Sequence, residues 1–182
     1  MTTAGSARGR GAGRPRVVLI GSMGAGKTTV GEVLADRWGV GFRDTDADIV
    51  ATEGRPISDI FVSDGEAHFR ALERAAVAAA LAEHDGVLAL GGGSVVDPGT
   101  RALLADHTVV FLQVGLAEAV ARVGLGSSRP MLLGNVRARI RTLLEERTPI
   151  YTEAATFTVS TDGLEPVEVV AQIESRLADA RV

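Results

Sequence analysis

Short apolar runs alternate along the chain with longer segments whose apolar residues recur at helical spacing. The first run, Arg16–Ile20, predicts a strand, and the stretch from Lys27 to Trp38 predicts a helix. A second short run, Val40–Phe42, ends in Asp44. Phe69, Leu72, Ala76, Ala79 and Ala80 then mark one face of a helix over about residues 64–83. Val87–Leu90 predicts the third strand. A helix near Pro98–Ala105 follows, with its proline suited to the first turn. The β-branched and apolar run Thr108–Leu112 predicts the fourth strand. Helices over about Leu116–Val123 and Val136–Arg147, a last strand over Thr156–Val159 and a closing helix over Pro166–Ala180 complete the pattern.

This alternation implies an α/β fold, a parallel sheet with helices on both faces. Strands that are apolar at successive positions fit such a sheet, because it is buried on both sides. Ligands of open α/β sheets bind beyond the carboxyl ends of the strands. Gly21, Asp44, Gly91 and Gln113 fall there. The stretch Gly124–Asn135, rich in glycine and serine with one proline, reads as a flap between two helices.

Composition narrows the chemistry. The 182 residues suit one domain. Residues 1–14 carry Arg8, Arg10 and Arg14 among small residues and read as a disordered basic tail, with one domain over 15–182. The tail has no apolar core of a signal peptide. Cysteine is absent, which excludes disulfides, thiolate metal sites and a cysteine nucleophile. His68, His84 and His107 lie too far apart in sequence for common zinc spacings. A net charge of −4 and only 4% aromatic residues argue against nucleic-acid binding. No apolar stretch approaches the ~18 residues of a membrane span, so the expected location is the cytoplasm. Among 18 arginines there is a single lysine, Lys27.

That lysine belongs to Gly21-Ser22-Met23-Gly24-Ala25-Gly26-Lys27-Thr28, which matches G-x-x-x-x-G-K-[ST] between a strand and a helix. Glycines let the backbone turn tightly and aim its N–H groups inward, and the helix N-terminus adds a positive dipole end. Gly24, Ala25, Gly26, Lys27, Thr28 and Thr29 are therefore the candidate nucleotide-binding residues. Lys27 reaches the β- and γ-phosphates, and Thr28 can hold Mg²⁺. A guanine-reading Asn-Lys-x-Asp cannot exist in a chain with one lysine, and a motor or transporter ATPase would need more chain. What remains favours a small kinase.

Asp44 and Asp46 close the second run. Residues two apart on a strand face the same way, so both are expected to lean toward the mouth of the phosphate loop. One carboxylate there serves the Mg²⁺ shell; the other grips a substrate hydroxyl and accepts its proton. A helix N-cap is the plainer reading for Asp46, and Asp48 is read only as a cap. Arg70 has acidic neighbours Glu66 and Glu73 at i−4 and i+3, so an ion pair competes with a ligand role. Arg147 has Leu143 and Leu144 at i−4 and i−3, with no acid on the preceding turn, and suits a ligand anion better. Arg129 stands before Pro130 in the flap, where it could close over a phosphate. Arg122 has Glu118 at i−4. Gly91-Gly92-Gly93 permits close approach of a ligand to the backbone. The histidines, Trp38 and Tyr151 are read as structural or surface residues.

Together these pieces resemble the shikimate kinase family over about residues 16–180. The resemblance rests on Gly21–Thr28, Asp44-Thr45-Asp46, Phe69-Arg70-x-x-Glu73, Gly91–Gly93, Arg129-Pro130 with Leu132, and Arg147 before Tyr151. It implies a three-layer P-loop kinase fold like that of nucleoside monophosphate kinases. Such a fold has a five-stranded parallel sheet in the order 2-3-1-4-5. A substrate-binding region would lie at about 45–74 and a lid at about 124–136. It implies transfer of the γ-phosphoryl group of ATP to the 3-hydroxyl of shikimate, with Mg²⁺, in a cytoplasmic enzyme expected to be a monomer. By position, Asp46 would bind the shikimate hydroxyls and act as base. Arg70 and Arg147 would clamp its carboxylate, and Gly91, Gly92 and Gly93 would line the site. Asp44 would reach Mg²⁺ beside Thr28, Arg129 would be the lid arginine, and Arg122 and Pro166 would flank the adenine. Lys27, Asp46 and Arg129 make the catalytic set. Met131 departs from the family in standing where leucine is common, and the basic tail is extra. The alternatives are another small-metabolite kinase such as a gluconate kinase, a nucleoside monophosphate kinase, or a noncatalytic nucleotide-binding module.

Overall fold

The computed structural model describes residues 13–124 and 133–180. Nearly all of the expected tail lies outside that range, and Pro15 is its first buried residue. Five strands run parallel: β1 (Val17–Ile20), β2 (Phe42–Asp44), β3 (Val87–Ala89), β4 (Val109–Gln113) and β5 (Phe157–Ser160). Their order is β2-β3-β1-β4-β5, as expected. β1 is central, with Val18 opposite Leu88 on one side and Val109 on the other.

The position of β1 explains why it is apolar throughout. Its side chains alternate between two covered faces. Val17 and Leu19 share a buried cluster with Val30 and Leu34 of α1 (Lys27–Trp38) and with Val170 and Ile173 of α8 (Pro166–Asp179). Val18 and Ile20 join the opposite layer. That layer holds Val77 and Leu81 of α4 (Glu66–Glu83), Leu104 of α5 (Pro98–Leu104) and Tyr151 of α7 (Leu133–Ala154). A further helix, α6 (Leu116–Gly124), follows β4.

Three differences from the sequence reading have physical causes. β2 begins at Phe42 rather than Val40. Gly39 ends α1 at φ 63°, and the Val40 N–H is spent on Ala35 O at 3.0 Å, closing the helix. Between β2 and α4 the chain forms α2 (Thr45–Glu53) and α3 (Ile57–Asp64), where only one undelimited helix was expected. These short helices bury Ile49 and Ile60 with Phe69 in a small core of their own, too sparse to show as periodicity. Finally, α7 does not stop at Arg147 but continues through Pro149 to Ala154. Proline removes one helical N–H, yet the next turn is held because Tyr151 is only 1% exposed in the core. No helix among the described residues is long and apolar enough to cross a membrane.

Candidate functional site

The loop from β1 to α1 is a cradle for anions. Gly24 and Gly26 take φ values of 82° and 85°, a region costly for side-chain-bearing residues. Gly26 is the N-cap of α1 and supplies no side-chain cap, so the first N–H groups of the helix are left for a ligand's oxygens. Lys27 folds over the loop and donates to Gly21 O at 2.8 Å and Ser22 O at 3.1 Å. Burial pushes its pKa down to about 8, against the pull of Asp46 and Asp44. Thr28 Oγ1 donates to Asp44 Oδ2 at 3.1 Å.

The two aspartates come together by a route other than the one expected. Asp46 is not on the strand; it lies in the first turn of α2. Asp44 ends β2 and caps α2, its Oδ1 accepting from the Asp46 N–H at 2.9 Å. The cap turn, not the pleat of a strand, brings both carboxylates to one cleft. Asp48 is not the cap either; it pairs with Arg43 at 2.7 Å. Asp46 is the electrostatically strained member. Its pKa is raised to about 6, by burial first and then by Asp44 and Glu73, with Lys27 and Arg70 opposing them. Its buried Oδ1 has no hydrogen-bond partner among the described residues.

Arg70 projects from α4 and makes both local pairs that the sequence offers. It lies 2.6 Å from Glu73 and 3.5 Å from Glu66. It also lines the cleft. Glu73 is 4% exposed and accepts a second bond from Ser94 Oγ at 3.0 Å. The glycine triplet follows β3. A Cβ on Gly91 would stand 2.5 Å from Asp46 Oδ1, and one on Gly93 would strike the Arg70 guanidinium. The glycines therefore make room for the cleft's own charged side chains. Gly92 and Gly93 reach the cleft wall, and Gly91 packs behind it.

The cleft has a volume of about 500 Å³. The phosphate loop, Asp44, Asp46, Arg70, Gly92, Gly93 and Arg147 line it together with the apolar Phe61 and Leu144. A neighbouring cleft of about 440 Å³ shares Gly26 and Thr29 with the first, and Ala25, Arg122, Thr161 and Pro166 border it. Arg122 is held in place by three bonds, to Gly24 O at 2.9 Å, Thr161 Oγ1 at 3.1 Å and Thr161 O at 3.0 Å. Arg129 and its flap lie outside the described residues. The structure thus joins Lys27, Thr28, Asp44, Asp46, Arg70 and Arg147 in one cavity, and Arg122 with Pro166 in the next.

Comparison with known proteins decides the family. The sequence profile described as shikimate kinase matches residues 23–178. The chain belongs to the shikimate kinase family. It is 57% identical to a shikimate kinase of Saccharopolyspora erythraea, over 92% of this chain and 96% of that one. It is 58% identical to one of Thermobifida fusca, over 92% and 97%. Among solved structures it is similar to a shikimate kinase from Acinetobacter baumannii in complex with shikimate. That match has a TM-score of 0.85 and 32% identity, over 93% of this chain and 96% of that one. A gluconokinase from Sinorhizobium meliloti shares the fold at a TM-score of 0.56 and 22% identity, over 93% of each chain.

This kinase also carries polar groups at and behind its clefts that sequence reasoning passed over. Tyr151, read as structural, donates its hydroxyl hydrogen to Gly92 O at 2.5 Å. Thr45 is fully buried and accepts from the Gly91 N–H at 3.2 Å. Thr161 is 2% exposed and holds Arg122. The only signal for them was place: Thr45 between two aspartates, Tyr151 one helical turn after Arg147, and Thr161 just beyond a strand's carboxyl end.

Proposed function

We propose that the larger cleft is where this ATP-dependent kinase phosphorylates the 3-hydroxyl of shikimate, giving shikimate 3-phosphate and ADP. One observation carries the reading: a phosphate cradle, a carboxylate of raised pKa and two arginines share one cavity. An acceptor that bears both an acid and hydroxyls needs those grips.

Arg70 and Arg147 bind the acceptor carboxylate, since guanidinium groups take carboxylates in bidentate fashion. Asp46 accepts a hydrogen bond from the acceptor hydroxyl and takes its proton as the oxygen attacks the γ-phosphorus. A pKa of about 6 leaves it ionised at neutral pH yet basic enough to receive that proton. Lys27 leaves its carbonyl partners for the β- and γ-phosphates, and the loop N–H groups take the remaining oxygens. Arg129 closes over the transferring group and Arg122 with Pro166 flanks the adenine. Thr28 and Asp44 supply a hydroxyl and a carboxylate, the hard oxygen donors that suit Mg²⁺, and no cluster of three or more acidic or histidine residues that could hold a metal occurs among the described residues. Thr28 and Asp44 would be the residues that hold such a cation. When bound, Mg²⁺ neutralises phosphate charge.

The test is ADP release from Mg-ATP with shikimate, gluconate, AMP or no acceptor in separate reactions. Release that depends on shikimate is expected. Release with another acceptor would overturn the acceptor site, and none with any acceptor would overturn the kinase reading of the cleft.

A further inference from the structure

Tyr151 sits where core and cleft meet. Its ring is 1% exposed and packs against Phe111 of β4 with centroids 5.0 Å apart. Its hydroxyl faces the other way and donates to the carbonyl of Gly92, a residue of the cleft wall. Arg147 lies four residues earlier on the same helix, which places both side chains on one face. Arg147 lines the same cleft as Gly92, so its side chain and the phenol approach one carbonyl from the same helix face, and the oxygen that donates to Gly92 keeps a lone pair for a guanidinium. Gly93, next in the loop, is pressed against the Arg70 guanidinium. The phenol is thus the link between the helix that carries one arginine and the loop that backs the other. Burial raises the Tyr151 pKa above its usual value, so the hydroxyl keeps its proton at neutral pH and remains a donor to Gly92.

We propose that Tyr151 is a positioning residue for acceptor binding: its hydroxyl fixes the Arg147 guanidinium against the Gly92 carbonyl, so that Arg70 and Arg147 converge on one carboxylate. The proposal rests on the reading of Arg147 as a carboxylate ligand. Pro149 adds weight to it. The proline has no N–H for the Glu145 carbonyl, so the turn that carries Arg147 is held by one backbone bond fewer and gains from a side-chain anchor.

The experiment is steady-state kinetics of Tyr151→Phe, Arg147→Ala and the double variant, with melting curves for each. Tyr151→Phe keeps the ring and loses only the hydroxyl. It is expected to raise the shikimate KM about five- to tenfold while the ATP KM stays within about twofold, as loss of one charge-assisted contact predicts. In the Arg147→Ala background the same change is expected to add almost nothing. An unchanged shikimate KM in Tyr151→Phe, beside a raised one in Arg147→Ala, overturns the proposal and leaves the reading of Arg147 intact. An unchanged shikimate KM in Arg147→Ala overturns both. Phe111→Leu loosens the ring's packing without touching the hydroxyl. It should lower Tm and leave the shikimate KM alone; an equal rise there would assign the effect to packing and overturn the proposal. A second measurement needs no substitution at all. The chain has one tyrosine, so fluorotyrosine labelling gives one ¹⁹F line. Saturating shikimate should shift that line and ADP alone should not. A line that shikimate leaves unmoved overturns the proposal.

Discussion

Replacing Asp46 by asparagine should stabilise the protein while it disables the reaction. In the folded chain the carboxyl pKa is about 6, against 3.8 for the free side chain, and burial is the main cause. A folded pKa above the unfolded one favours the folded state at low pH, and that favour is lost as pH rises from 3.8 through about 6. The shift is roughly two pH units at ~1.4 kcal/mol each, so the ionised group destabilises the fold at pH 8 by up to about 3 kcal/mol. Its Oδ1, buried with no partner among the described residues, is the structural source of that cost. Asparagine has nearly the same shape and no charge. The amide needs its own hydrogen bonds, so about 1–3 kcal/mol of the cost is recovered, or a Tm higher by about 3–10 °C at pH 8. Near pH 4 the wild-type carboxyl is protonated as well, and the advantage should vanish. Thermal melts of both proteins from pH 4 to pH 8 read this directly. Coupled assays of ADP release should show kcat lower by about 10²- to 10⁴-fold, the usual worth of a positioned general base. An asparagine variant that melts at or below wild type at pH 8, by a margin independent of pH, would refute the electrostatic account of Asp46. A near-normal kcat would refute its place in the reaction.

Lys27 should take up a proton when nucleotide binds. Its pKa of about 8 is held down by burial, and phosphate oxygens in the cradle raise it. Titration calorimetry with ADP at pH 8, in buffers of different ionisation enthalpy, should show uptake of about half a proton per nucleotide; heats that do not depend on the buffer would refute this. Lys27→Ala should abolish turnover and leave the melting curve near wild type, because a buried ammonium is being removed; retained activity would end the mechanism proposed for the cleft. Thr161→Val deletes a hydroxyl that holds Arg122 at 3.1 Å and donates to Gln113 O at 3.2 Å. It should raise the ATP KM several-fold, lower Tm by about 2–4 °C for a loss of ~1 kcal/mol, and leave the shikimate KM unchanged. Equal effects on both KM values would remove Arg122 from the nucleotide cleft.

What the sequence made legible follows from how locally each feature is encoded. The sheet was readable because β1 is covered on both faces, so nothing interrupts its apolar run of Val17–Ile20. The phosphate cradle was readable because backbone groups do its work, and glycine spacing specifies backbone. Asp44 and Asp46 were identified for a wrong local reason. Strand alternation and a helix cap can both bring residues i and i+2 to one side, and only the structure shows that the cap does so here. Glu73 and Arg70 show the limit in another form. On sequence alone their i,i+3 spacing looks like an ordinary surface pair, of small worth in solvent. Burial of Glu73 to 4% exposure, with Ser94 as a second donor, turns that pair into a fixed part of the cleft. Tyr151 and Thr161 were illegible because their partners, Gly92 and Arg122, are 59 and 39 residues away. A hydroxyl that bonds a distant backbone carbonyl or guanidinium leaves no periodic trace. The residues that contact ligands are selected by chemical type and stand out in a sequence, whereas the residues that aim them are selected by position and emerge only with the fold.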